Sequence, residues 1–460
     1  MHPLLILALG VFTIIFLIAA LRVNAFIALI VSAIIVSLLA PGELAEKITR
    51  VAAAFGTTAG KIGIVIALAV VIGKCMMDSG AADRIVRAFL WLLGEKRSAW
   101  ALSASGFVLA IPVFFDTVFY LLVPLARSMH RRTGKHFLKY VLAIGAGGVI
   151  THSIVPPTPG PLVMAEQLGI DLGQMILIGI LVAIPPAIVG MAFATWLDRR
   201  MKIPMRPLAG GLTESEPLAD HQLPALLPSL LPIALPVLLV SLNTAATAAA
   251  KTADDGATIK HIAAVMAVLG DVNFAMLLAA GIAVWLLKTK RGLTKAQLAE
   301  VVEASLMSGG IIILITAAGG AFGAMLKAAQ IGPAIEHVFR NGAGGQTGGI
   351  MLLLLGALIA CIMKIAQGST TVSMITASAM IAAMIPSAGT LGFPTVLLAT
   401  AIGSGSMIGT WMNDSGFWVF VKMTGLTEAE GLKTWTPLIA VTGLTGLATS
   451  LVLAMVLRTG

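Results

Sequence analysis

Four short stretches place polar and titratable side chains inside otherwise apolar segments. VFFDTVF carries Asp116 and Thr117; ITHSIVPPTPGP, residues 150–161, carries Thr151, His152 and Thr158 among four prolines; QGSTT runs from Gln367 through Gly368, Ser369 and Thr370 to Thr371; and WMNDSGF carries Asn413, Asp414 and Ser415. An acid at membrane depth costs about 2.5–3.5 kcal/mol on insertion scales, so Asp116 calls for a partner or a proton. It reads either as a cavity-facing group that takes up a coupling proton or as a carboxylate capping the helix that follows. His152, alone of seven histidines, lies inside an apolar segment. A proton relay or a substrate contact is one reading, and a hydrogen-bonded core histidine the other. Asn413, Ser415 and Thr158 supply donors and acceptors for hydroxyl groups, while Asp414 could pair with a cation or carry a proton; a helix cap is the plainer alternative. QGSTT places hydroxyls where a helix would begin, and exposed N–H groups at the positive end of a helix dipole suit a carboxylate. Lys364 just before it either adds a charge to that site or snorkels to the interface. Lys74 and Asp78 read as a structural pair.

Such residues need elements that hold them away from lipid. The chain of 460 residues is 58% hydrophobic and 11% charged, with a mean hydropathy of +0.99. That is far more apolar surface than a water-soluble fold buries, and it predicts an all-α polytopic membrane protein. A proline-rich break inside a bilayer must be enclosed by protein or face a water-filled cavity, which marks it as a binding region. Apolar segments fall near residues 4–21, 25–40, 62–77, 99–126, 140–163 and 174–196, then 225–250, 261–287, 304–327, 347–387, 393–421 and 434–457. A first membrane repeat over 1–197, a cytoplasmic linker over 198–224 and a second repeat over 225–460 follow from that spacing. The first segment lacks a basic region before it and is read as a retained helix, not a signal peptide.

Basic residues flank the segment 99–126 on both sides, with Arg84, Arg87, Lys96 and Arg97 before it and Arg127, Arg131, Arg132, Lys135 and Lys139 after it. Lys and Arg concentrate in cytoplasmic loops, so both flanks lie inside. Two crossings need roughly 40 residues, more than the segment holds, and a re-entrant hairpin turning near Pro112–Thr117 satisfies both constraints. Each half then has about five crossings and one hairpin. An odd number of crossings makes the halves inverted copies and puts both termini outside. For residues 349–386, a hairpin and two full crossings both return the chain to the same side. Local sequence supports the duplication. AIGSGSMIGTWMNDSGF from Ala401 overlays AIGAGGVITHSIVPPTP from Ala143 at an offset of about 258 residues; GAMLKAAQI from Gly323 follows GKCMMDSG from Gly73, and MKIAQGSTT from Met363 follows IPVFFDT from Ile111.

Several functions lose support. The net charge of +9 belongs to loops flanking apolar segments and needs no nucleic-acid partner. Cys75 and Cys361 both fall in apolar segments, so neither a disulfide framework nor a metal site is suggested, and no cofactor is called for beyond a coupling ion. Gly60 and Lys61 fail as a phosphate loop, because residue 55 is Phe and residue 62 is Ile. No H-E-x-x-H or G-x-S-x-G motif is present, which argues against a membrane-embedded hydrolase. Gly319 and Gly323 are spaced for helix packing.

THSIVPPTPGP at 151–161, IAQGSTTVSMITA at 365–377 and GSGSMIGTWMNDSGFWVF at 403–420 resemble the signature stretches of the gluconate permease family, in the larger ion-transporter superfamily. The resemblance covers essentially the whole chain, including NAFIALI at 24–30. It implies proton-coupled uptake of gluconate or a related small hydroxy acid across a bacterial inner membrane, with D-serine, glycerate or sodium coupling as variants on the same fold. It also implies two inverted repeats, each with a re-entrant hairpin, moving substrate by an elevator-like shift against a homodimer scaffold. Three positions depart from the family pattern: Thr158 replaces a histidine, Lys364 an arginine and Asp116 a glutamate. On this reading Asp116, His152 and Asp414 handle the proton. Thr117, Thr151, His152, Thr158, residues 367–371 and residues 413–415 bind the small organic anion. A passive anion channel is the rival in a different class.

Overall fold

The computed structural model describes residues 2–206, 218–252, 257–331, 334, 346–385, 391–412 and 414–457. Among them it is helical, with eight helices long and apolar enough to cross a membrane. In the first half α1 is Pro3–Ile15, α2 Ala25–Leu39, α3 Glu46–Ser79 and α4 Ala81–Leu93. A hairpin of α5 (Ser98–Leu109) and α6 (Phe115–Thr133) follows, then a helix broken into α7 (Phe137–Ile154) and α8 (Pro159–Leu168), then α9 (Leu172–Met201). The second half holds α10 (Leu226–Thr252), α11 (Ala257–Leu269), α12 (Val272–Arg291) and α13 (Lys295–Ala328). Its hairpin is α14 (Gln346–Gln367) with α15 (Thr370–Met384), its broken helix α16 (Val396–Ile408) with α17 (Ser415–Thr424), and its last helix α18 (Glu428–Val456).

The succession of long helix, hairpin, broken helix and long helix therefore occurs twice. Both α3 and α13 have 34 residues. Side-chain caps start α9 and α18 at equivalent places: Asp171 accepts from the N–H of Gln174, and Thr427 accepts from that of Glu430. Residues 261–287, expected to be one crossing, are two helices. Gly270 and Asp271 break them, and the Asp271 carboxylate caps α12 by accepting from the N–H groups of Asn273 and Phe274. Of the second hairpin, α14 contains an apolar span, whereas α15 has only 15 residues, fewer than the roughly 20 a crossing needs.

Packing divides the helices into two groups. Helix α3 packs on α2, α12 and α13; α7 packs on α5, α6 and α9; α18 packs on α9 and α16; and α14 packs on α15 and α16. Helices α13 and α15 meet where the groups join. The most apolar stretch across α7 and α8 is 94% buried, against 39% for that of α9. The first break thus lies inside protein, as a backbone with freed peptide groups must.

Glycine makes this interior close enough to exclude lipid. A Cβ at Gly147 of α7 would collide with the Ser103 carbonyl oxygen of α5, and one at Gly405 of α16 with the Ala357 carbonyl oxygen of α14. The two glycines are equivalent under the internal alignment, and each seats the first helix of its own hairpin. Gly190 against Ala146 and Gly446 against Ser404 repeat the pattern for the last helices. Part of the linker is strapped down. Arg206 makes a two-pronged pair with Glu430 at 2.6 and 2.8 Å, and buried Arg127 donates to the carbonyls of Thr424 and Arg206. Replacing Gly147 with Ala is expected to destabilise the protein by roughly 1–3 kcal/mol through overpacking. Gly281→Ala, where a Cβ meets nothing within 4 Å, should be neutral or slightly stabilising. Thermal unfolding in detergent checks both, and equal midpoints for the two variants would contradict the tight α5–α7 contact.

Candidate functional site

Both hairpin tips and both helix breaks meet at one cavity of about 190 Å³. Helix α6 supplies Phe115 and Asp116, α7 supplies Val149, His152 and Ser153, and α15 supplies Thr370 and Thr371 behind Ser369. The second break adds Thr410, Asp414, Ser415 and Gly416, and α18 adds Trp435 and Ile439. Three helices, α6, α15 and α17, begin at this cavity. Each N-terminus brings N–H groups without intrahelical partners and about half a positive charge.

The chain reaches these positions by specific local devices. Gly368 takes φ +84°, open to glycine without penalty, and turns the chain between α14 and α15. Ser369 then caps α15 by accepting from the N–H of Val372. At the first break, α7 ends at Ile154, a cis Pro156–Pro157 peptide follows, and the Thr158 hydroxyl donates to the carbonyls of His152 (3.0 Å) and Val155 (2.9 Å). At the second, the Trp418 indole N–H donates to the Met412 carbonyl at 2.7 Å, and the Asp414 carboxylate caps α17 by accepting from the N–H of Gly416. Peptide groups released by the breaks are thus met by nearby side chains.

Lys364 does not snorkel. It is fully buried, and its ammonium reaches the Gly368 carbonyl at 2.6 Å, the Thr370 hydroxyl at 2.8 Å and the Asp414 carboxylate at 3.2 Å. Three donors thereby meet three acceptors, locking the tip of the second hairpin to the second break. Asp116 approaches from the first hairpin. Its carboxylate accepts a long hydrogen bond from Ser415 at 3.4 Å, and a Cβ on Gly416 would lie 3.6 Å from Asp116 and 3.2 Å from Asp414. Two acids and one base therefore surround the start of α17.

The other expected residues divide. His152, Ser369, Thr370, Thr371, Asp414 and Ser415 line the cavity with Asp116. Thr117, Thr151, Thr158 and Gly368 do not. Thr151 is buried and donates to the Gly147 carbonyl, and Thr158 is occupied with the first break. Asn413 and the Gln367 side chain lie outside the described residues. Lys74 and Asp78 pair at 3.0 Å within α3, away from the cavity. Trp435, Thr410 and Ile439 were not singled out from the sequence. An apolar helix with one tryptophan and one threonine at a helix end carry no motif, and only packing brings them here. Trp435 stacks on Phe420 at 4.7 Å and Phe115 at 5.6 Å. Among the described residues, its indole nitrogen and Nδ1 of His152 are buried without a hydrogen-bond partner.

The sequence profile of the GntP family permeases matches residues 2–456. The chain belongs to that family. A gluconate permease of Pseudomonas aeruginosa is 34% identical over 444 residues, covering 96% of this chain and 95% of the relative. A low-affinity gluconate transporter of Escherichia coli is 32% identical over 439 residues, covering 95% of each. Among solved structures, the YdaH transporter of Alcanivorax borkumensis superposes with a TM-score of 0.62 at 12% identity, covering 94% of this chain and 96% of that one. MtrF of Neisseria gonorrhoeae, described as illuminating a class of antimetabolite efflux pumps, gives 0.67 at 17% identity over 95% and 96%. At those identities the shared property is the fold. This family member is thus a multi-pass membrane transporter, and its cavity sits where the two halves converge.

Removing one partner of a buried ion pair leaves the other uncompensated, at a cost of about 3–5 kcal/mol. Lys364→Met is therefore expected to lower the thermal midpoint strongly, and Lys364→Met with Asp414→Asn to recover much of it. If the double variant unfolds no higher than the single one, the pair does not hold the hairpin.

Proposed function

We propose that this protein is a proton-coupled symporter that brings gluconate or a related small sugar acid across the bacterial inner membrane. The observation that carries the reading is the convergence of three helix N-termini and two carboxylates on one cavity, with the buried ammonium of Lys364 held against Asp414 and Thr370 of its lining. Helix starts at α15 and α17 suit the substrate carboxylate. Ser369, Thr370, Thr371, Thr410 and Ser415 offer hydroxyls, and the unpartnered nitrogens of His152 and Trp435 suit further polar groups on a polyol chain. The gluconate permeases and transporters among its relatives point to the same substrate class.

Charge balance argues for the proton. With Asp116 and Asp414 ionised and Lys364 charged, the site carries one net negative charge and opposes a carboxylate. A proton taken up by Asp116 neutralises the site and lets the anion in. His152 lines the same cavity as Asp116, which supports a part in receiving or relaying that proton. One proton with one monoanion moves no net charge, so the pH gradient drives uptake and the membrane potential does not.

Among the described residues, those lining the cavity belong to the second group of helices or to the turns between them, and none to α1–α3 or α10–α13. A site carried by one body suits an elevator-like shift, with the two hairpins re-entrant, the halves inverted, and α1–α3 with α10–α13 as the scaffold of a homodimer. The basic loops, assigned inside by the positive-inside rule, put both termini outside.

Proteoliposomes loaded with gluconate test this by counterflow of radiolabelled gluconate and by accumulation under imposed gradients. Wild-type protein is expected to accumulate gluconate under an inward pH gradient and to be indifferent to membrane potential alone. Asp116→Asn should keep counterflow and lose pH-driven accumulation. Accumulation driven by sodium and not by protons would replace the coupling ion. Lack of transport across gluconate, other sugar acids, glycerate and D-serine would reject the substrate class, and non-saturable flux would favour a channel.

A further inference from the structure

A second cavity, of about 410 Å³, lies at the opposite end of α6 from Asp116, between α4, the start of α5 and the last turns of α6. We propose that it is a binding site for an anionic glycerophospholipid of the cytoplasmic leaflet. Its wall is divided. Leu90, Trp91, Leu125 and Met129 form an apolar side suited to acyl chains, and Ser98, Ser128 and Arg132 form a polar side suited to a phosphate.

Helix α4 accounts for the placement. Its 13 residues rise about 20 Å, too short to cross, and its faces differ sharply. Ala81, Ala82, Ile85 and Val86 are buried against protein, while Arg84 and Arg87 tie the helix to the Pro224 carbonyl and to Asp220. Its far end presents Trp91 at 86% exposure and Leu92 at 69%. A short amphipathic helix with an outward tryptophan and basic neighbours lies in the membrane interface. Lys96, Arg97, Arg131, Arg132 and Lys135 stand next to the cavity in sequence against a single acid, Glu95. Arg132 puts positive charge in the cavity wall itself, and basic pockets on the cytoplasmic side bind phospholipid headgroups. Ser98 is 5% exposed and lines the cavity, and no hydrogen bond engages the hydroxyls of Ser98 or Ser128 among the described residues. A phosphate would give these hydroxyls an acceptor.

The site has a mechanical consequence. Leu125, Ser128, Met129 and Arg132 occupy one face of the helix whose first turn holds Asp116, and α4 packs on α5 as well as on α3 and α10. A lipid seated there touches both the helix that carries Asp116 and α4, which links α5 to α3 and α10.

The test is thermal unfolding of the full chain in detergent, titrated with phosphatidylglycerol, phosphatidylcholine of matched chains, or inorganic phosphate. Phosphatidylglycerol alone is expected to raise the midpoint saturably. Arg132→Gln should raise the half-saturating concentration about fivefold, the equivalent of the ~1 kcal/mol that one basic residue contributes near an anionic surface. Ser128→Trp, which fills the cavity, should abolish saturation while leaving the lipid-free midpoint near wild type. Equal stabilisation by phosphatidylcholine, stabilisation by phosphate alone, or a titration unchanged in both variants would overturn the assignment.

Discussion

A peptide group that leaves a helix inside a bilayer has no water to turn to, and this chain leaves its helices at four places that converge. The resulting demand for hydrogen-bond partners organises the interior. At the first break the Thr158 hydroxyl takes two carbonyls; at the second, Trp418 takes one; at the tip of the second hairpin Lys364 takes another. Several polar residues that look like substrate ligands in the sequence are thus occupied with backbone. What remains for a solute is the set that lines the cavity: the hydroxyl residues on α15 and around the second break, Asp116, His152 and Trp435.

The ion pair between Lys364 and Asp414 gives that set its electrostatic character. Burying a lysine completely is unfavourable unless its three donors are met, and here they are met by a carbonyl, a hydroxyl and a carboxylate from two different elements. The pair is close to neutral as a unit and leaves Asp116 as the unbalanced charge beside it. Helix N-termini at α6, α15 and α17 offset that charge, so the cavity can hold an acid and still suit an anion.

The same order of helices occurs twice along the chain, and the two occurrences carry different chemistry. Gly147 and Gly405 seat equivalent hairpin helices by the same close approach, and Gly190 and Gly446 do so for the last helices. Yet one hairpin contributes a carboxylate and the other an ammonium with hydroxyls. One break contributes an imidazole and the other a carboxylate. A recurring order of elements thereby surrounds an asymmetric site.

Hydropathy, basic flanks and the polar interruptions determined the membrane class, the first hairpin and both breaks, because lipid leaves so few options for a polar or helix-breaking residue at depth; for residues 349–386 they left a hairpin and two crossings equally open. Asp116, His152 and Asp414 were legible for the same reason. Packing decided the rest. The division of 261–287 into two helices depends on a single capping aspartate that hydropathy averages away. A long basic side chain can snorkel or be buried, and the neighbours of Lys364 lie on elements that the linear chain does not join. Thr158 and Thr151 share their residue type with Thr370 and Thr371, and only the tertiary arrangement directs the first two to backbone carbonyls and the last two to the cavity. Trp435 carries no sequence signal at all, since its role comes from where α18 crosses the broken helices.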